Sequence, residues 1–260
     1  MAKSKLTTRT VLTVVGIILT LAAYEIFYKK TSVKTLLIIS AIVIPLSAIY
    51  IFIALKIQGG SARRRTAALK KNATLMGFSF NEAPDEPLLS SLMPGFELFT
   101  LGEGRSEFRN YMDGEAGGQS AVVFDYGYHV TKRSGENVYL KSINHTVCIL
   151  AQDTRNLPGF KLRSKGLAEK VRDTVGMHDI DPENDPEFAK HCWLTGPDEE
   201  AVRALFGPEV TQAFRDGSAL RDIVIEGAGS KLMYYHVGHI EPDGLTDFVS
   251  RAGEVSRLFG

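Results

Sequence analysis

Residues 121–130 read AVVFDYGYHV, and the alternation in this stretch decides the fold. A strand turns successive side chains to opposite faces. Val122, Phe124, Tyr126, Tyr128 and Val130 therefore share one face, and Val123, Asp125, Gly127 and His129 the other. Turn chemistry follows in KRSGEN (132–137), and VYLKSINHTVCILA (138–151) returns as the partner strand. Upstream, FELFTLGEG (96–104) and SEFRNYMDG (106–114) each read as a strand running into a turn. Downstream, GFKLR (159–163) and KHCWLTG (190–196) are short strands, and RDIVIE (221–226) with KLMYYHVG (231–238) form a hairpin around GAGS.

Helices are interleaved with these strands. GLAEKVRDTVG (166–176) has helical spacing, and Pro197 opens a helix at DEEAVRALF that Gly207 ends, followed by a second short helix over 208–216. The last helix is LTDFVSRAGEVSRLF (245–259). It places Leu245, Phe248, Val249, Ala252, Val255 and Phe259 on one face, which suits packing on a sheet. The expected fold class is α+β, a mainly antiparallel β-sheet domain over 78–260 closed by a C-terminal amphipathic helix.

The N-terminal quarter differs in kind. Residues 35–55, TLLIISAIVIPLSAIYIFIAL, carry no charge and match a bilayer core of about 30 Å. Residues 11–28 are apolar apart from Glu25, flanked by Tyr24, Phe27 and Tyr28. A cleaved signal peptide is the competing reading of 11–28, because Lys3, Lys5 and Arg9 precede it. The reading preferred over it is a transmembrane helical hairpin over 1–58, followed by a basic helix or linker over 59–77. Lys and Arg crowd the two outer flanks, which predicts a multi-pass inner (plasma) membrane protein with both termini in the cytoplasm.

The 260 residues hold 30 basic and 30 acidic side chains, but residues 1–71 carry 12 Lys or Arg against Glu25 alone. The remainder is acidic by 29 to 18, so two segments of +11 and −11 hide behind a net charge of zero. GGSARRRTAALKK (59–71) concentrates five cations, Arg63, Arg64, Arg65, Lys70 and Lys71. Ser61 is a plausible N-cap and Gly77 a stop, with Gly59-Gly60 as a loose joint before them. Beside an apolar span these cations mark topology and meet lipid headgroups. An acidic domain behind them argues against nucleic acid.

No catalytic constellation is evident, which leans against an enzyme. Were the domain an enzyme, Asp125, His129, Tyr126 and Tyr128 are the first residues to test. Asp125 and His129 share a strand face but stand roughly 13 Å apart. The acidic run Asp179, Asp181, Glu183, Asp185 and Glu187 lacks the glycine and the twelfth-position Glu of a calcium loop. His236-x-x-His239 and the pair Cys148 and Cys192 do not have zinc-site spacing. No metal and no cofactor are expected, and two lone cysteines fit buried, reduced thiols.

Several short motifs carry a family resemblance. They are Leu75-Met76-Gly77-Phe78, Asn110-Tyr111-Met112-x-Gly114, Phe124-Asp125-Tyr126-x-Tyr128, Thr146-Val147 and Leu157-Pro158-Gly159-Phe160. In that order the chain resembles a loosely defined group of uncharacterised bacterial membrane-anchored proteins with two N-terminal spans and an F-D-Y-x-Y strand. The resemblance implies an inner-membrane protein and carries no catalytic residue. The expected function is a membrane-anchored cytoplasmic protein-interaction or accessory domain of a membrane complex, partnered by another membrane or cytoplasmic protein. A membrane-tethered enzyme whose site forms only in the fold, or a lipid or ligand sensor, is the alternative.

Overall fold

The computed structural model describes residues 33–135, 137–152, 156–167, 179–182 and 185–260. It divides into two units, Met1–Arg65 and Thr66–Gly260. The second unit is built on eight antiparallel strands: β1 (Ser79–Asn81), β2 (Glu107–Ala116), β3 (Gln119–Ser134), β4 (Asn137–Ala151), β5 (Leu157–Ser164), β6 (Cys192–Thr195), β7 (Ile223–Gly229) and β8 (Lys231–Val237). Their order across the sheet is β1-β2-β3-β4-β8-β7-β5-β6. The helices are α1 (Val33–Leu75), α2 (Glu86–Leu92), α3 (Pro186–His191), α4 (Glu199–Leu205), α5 (Pro208–Phe214) and α6 (Leu245–Leu258).

The alternation in AVVFDYGYHV is realised, and it sorts the core into two clusters on opposite faces of the sheet. Val123 joins Cys148, Leu150, Leu162, Ile225 and Tyr234 on the face that receives Leu245, Phe248, Val249 and Ala252 of α6. Leu69 and Ala73, at the end of α1, are fully buried in the same cluster. Phe124, Tyr126, Tyr128 and Val130 join Val147, Ile149, Val224, Met233 and Tyr235 on the second face. Each such side chain contributes about 1.5–3 kcal/mol when removed from water, so neither face is expendable.

What covers the second face departs from the sequence expectation. FELFTLGEG does not form a strand. Glu97–Thr100 winds into a single 3₁₀ turn, and Phe96 and Leu98 drop from it onto the sheet. Phe99 and Phe108 close over Tyr126 with ring centroids 5.1 and 4.9 Å away. KHCWLTG is also shorter as a strand than expected. Asp185 accepts a hydrogen bond from the Phe188 amide and caps α3, which occupies the segment up to His191 before β6 begins. The helix expected at 166–176 falls outside the described residues beyond Leu167.

The expected two-helix transmembrane hairpin is corrected. Its first span, 11–28, lies outside the described residues, as does the basic flank before it. The second, 35–55, lies within α1, where the described side chains Ile44, Leu46 and Ile49 are exposed. Among the described residues no helix is long and apolar enough to cross a membrane. The physical difference is where the helix ends. The apolar run alone implies one helix that stops near Leu55 and another that begins at Ser61. Instead α1 continues through Pro45, Gly59 and Gly60 into the arginines, and stops where Gly77 adopts φ 76°. The multi-pass inner-membrane location, the cytoplasmic termini and the integral-membrane partner all rest on that hairpin, and the structure does not support them. The α+β class with an antiparallel sheet and an amphipathic closing helix is observed.

Candidate functional site

Besides the pairing of Gln152 with Ser256 of α6, two polar networks lie in the interior of the second unit, one on each face of the sheet. On the second face a row of polar groups crosses five adjacent strands, β3, β4, β8, β7 and β5. Tyr128 of β3 stacks on His145 of β4, with ring centroids 5.7 Å apart and planes 18° from parallel. His145 meets Tyr235 of β8 edge to face at 5.3 Å. The Tyr235 hydroxyl donates to Oε1 of Glu226 on β7 at 3.3 Å. Lys161 of β5, in register with Glu226, donates from Nζ to Glu97 Oε1 at 2.9 Å.

Glu226 is the centre of this row and is only 2% exposed. Its Oε2 accepts from the backbone N–H of Glu97 at 2.6 Å and of Leu98 at 3.3 Å. These are the first amides of the 3₁₀ turn, which have no partner within the turn itself. Glu226 thus pins the covering segment to the sheet. Burial pushes its carboxyl up to about 7, with the Lys161 ammonium pulling the other way. His145 is shifted in the opposite sense. Burial lowers it to about 4, so the imidazole is neutral at pH 7. Its Nδ1 lies 3.3 Å from the His236 carbonyl, which can only accept, so Nδ1 carries the proton and Nε2 is a bare acceptor. Nε2 is buried without a hydrogen-bond partner among the described residues.

On the first face Asp125 anchors a smaller network. Its carboxylate accepts from Asn110 Nδ2 at 2.8 Å and Thr146 Oγ1 at 3.1 Å, with His239 Nε2 at 3.9 Å. Asn110 in turn accepts from Thr66 Oγ1 of α1 at 2.8 Å. It sits at a bulge in β2 with φ 54°, a left-handed conformation that Asn tolerates better than most residues. The network therefore fastens the last turns of α1 to the sheet.

The four residues singled out for catalysis are divided between these places. Tyr126 and Tyr128 are buried on the second face, where Tyr126 shares a 3.1 Å hydrogen bond with Ser106. Asp125 faces the other way, and His129 is half-buried on that side, its carbonyl accepting from the Glu103 amide at 2.8 Å. The structure brings Tyr126 and Tyr128 together and leaves Asp125 and His129 apart. The aromatic row packs on Phe99 and Phe108 rather than on α6. Of the basic stretch, Arg63, Arg64, Lys70 and Lys71 are exposed and Arg65 is half-buried. Cys148 and Cys192 are both buried and free, their thiols pushed up to about 12 by burial. Among the described residues no three His, Cys, Asp or Glu side chains are grouped to hold a metal ion.

Glu226, His145, Lys161 and Glu97 are not among the residues that the sequence singles out, although a signal is present. Glu226 ends RDIVIE in step with Val224, and Lys161 interrupts GFKLR between two apolar neighbours. A charge in step with apolar residues, as Glu226 is, or set between two buried ones, as Lys161 is, marks a strand covered on both faces. The cover stays hidden because 96–104 has the composition of a strand.

No protein family matches the sequence, and no curated protein matches it. Among solved structures the chain is similar to the crystal structure of the mycobacterial trehalose monomycolate transport factor A, at 12% identity and a TM-score of 0.51. The likeness covers 76% of this chain and 97% of that one, and shows a shared fold. Membership of the two-span membrane-anchored group is not supported, because among the described residues no helix is long and apolar enough to cross a membrane.

Proposed function

We propose that the Thr66–Gly260 unit is a transport factor that binds a sugar-ester cargo of the trehalose monomycolate class without altering it. The observation that carries this reading is the correspondence of fold with the transport factor over nearly all of that chain. The chemistry inside the domain is consistent with binding rather than turnover. Glu226, a buried carboxyl that burial raises toward neutrality, spends its two oxygens on two backbone amides and a tyrosine hydroxyl of its own chain. A general acid or base must reach its substrate within a hydrogen bond or one water. Glu226, almost wholly buried, is committed to holding the fold together.

The test is made in cells that produce the chain. Depleting it is expected to slow delivery of a radiolabelled trehalose monoester to its destination while synthesis of the ester continues. Unchanged delivery after depletion would overturn the proposal.

A further inference from the structure

The β3–β4 hairpin outgrows the sheet that carries it. Strand β2 pairs with β3 only as far as Gly127, and β8 pairs with β4 only from Thr146. Beyond those points β3 and β4 pair with each other, from Tyr128↔Ile143 to Ser134↔Asn137. Tyr128 and Val130 are still buried and His129 still accepts from the Glu103 amide, so the uncovered two-stranded arm runs outward from Thr131↔Leu140. Two strands alone are marginally stable in water, so such an arm gains from being covered. Its end is also apolar where it meets solvent. Val138 is 58% exposed and Leu140 66%, with Tyr139 at 36% between them. Elsewhere among the described residues of this unit, only Leu75 and Leu88 are large apolar side chains with comparable exposure.

The arm is basic on an acidic domain. Residues 128–145 carry Lys132, Arg133 and Lys141 against Glu136, a net of +2 within a segment that sums to −11. The opposite charge is concentrated at the other side of the sheet. Residues 179–216, which include α3, β6, α4 and α5, hold ten acids and three bases, a net of −7. Glu187, Glu199, Glu200 and Glu209 are exposed there, and α4 presents exposed Ala204 and half-buried Leu205 beside its acids. This lobe begins at the β6 edge, four strand spacings from β4, or roughly 19 Å. An arm and a lobe of one molecule are therefore held apart.

We infer that the arm is an interaction surface for a second copy of this chain: its apolar, basic end docks on the acidic 179–216 lobe of the other molecule. Two such contacts related by a twofold axis close a dimer, each molecule giving its arm and receiving its partner's. Opposite charges steer the encounter and fix the register, while Val138 and Leu140 supply the apolar contact that like-charged arms could not make with each other. Docking of this kind requires no cargo.

The experiment uses the full chain with a photoreactive benzoylphenylalanine in place of Leu140. Irradiation is expected to give a product of twice the chain mass, its cross-link mapping within 179–216. Lys132→Glu with Arg133→Glu should lower that yield at least fivefold. Adding Glu200→Lys with Glu209→Lys to the same chain should bring it back within twofold, which also shows that the reversed arm still folds. Products of single mass only, a yield indifferent to the arm reversal, or a loss that the lobe reversal fails to restore would each overturn the inference.

Discussion

Glu226 and His145 occupy one buried row, yet burial shifts them in opposite directions. Glu226 rises from an ordinary 4.5 to about 7. Between those pH values the unfolded chain has lost a proton that the folded chain keeps, so stability falls as pH rises. His145 drops from 6.5 to about 4. Between those values the unfolded chain binds a proton that the folded chain refuses, so stability rises with pH. Each effect is on the order of 3 kcal/mol, and in the shared window from 4.5 to 6.5 they oppose each other. Urea titrations across that window should therefore show Glu226→Gln gaining stability with rising pH and His145→Phe losing it. Parallel pH profiles for the two variants would contradict the placement of this row. At Asn110 the expectation is simpler. Asn110→Ala removes both side-chain hydrogen bonds of a buried amide, leaves Asp125 short of a donor, and puts a less tolerant residue at φ 54°. A loss of about 2–3 kcal/mol is expected from the urea midpoint, and an unchanged midpoint would count against the network.

At the level of elements, α6 depends on a close approach. A Cβ built on Gly253 would stand 3.0 Å from the Gly117 amide nitrogen and 3.1 Å from the Ala116 carbonyl carbon. Both belong to backbone at the β2–β3 turn, which cannot swing aside as a side chain would. Gly253→Leu should lift the helix from the sheet and lower the thermal midpoint, despite the better helix propensity of Leu by about 1 kcal/mol. A raised midpoint would mean that the helix does not sit this close. The helix itself is legible in the sequence, because six apolar residues at helical spacing can bury only one stripe. The β3–β4 and β7–β8 hairpins are legible for the same reason, since a period of two flanked by turn residues has few other solutions. The cover of the second face is not. FELFTLGEG has strand-like composition, and what bends it into a turn is Glu226, 129 residues away from Glu97. A tertiary hydrogen bond overrides a local pattern, and with it the polar row is hidden from a linear reading.

On the scale of the whole molecule, composition reveals the charge division between residues 1–71 and the remainder, but not the helix boundary within it. An apolar run suggests an element of its own length, whereas α1 carries on for 20 residues past Leu55. The candidate residues Asp125, His129, Tyr126 and Tyr128 all come from a single strand, and a strand necessarily divides its side chains between two faces. A functional site assembled across strands is invisible to such a reading. Whether this fold binds a sugar-ester cargo without consuming it is tested most directly by equilibrium binding of a fluorescent trehalose monoester to the purified full chain. The ligand is then recovered and its integrity measured. Saturable binding with intact ester recovered is the expected result. Absence of saturable binding, or release of free sugar and acid in proportion to the chain added, would contradict it.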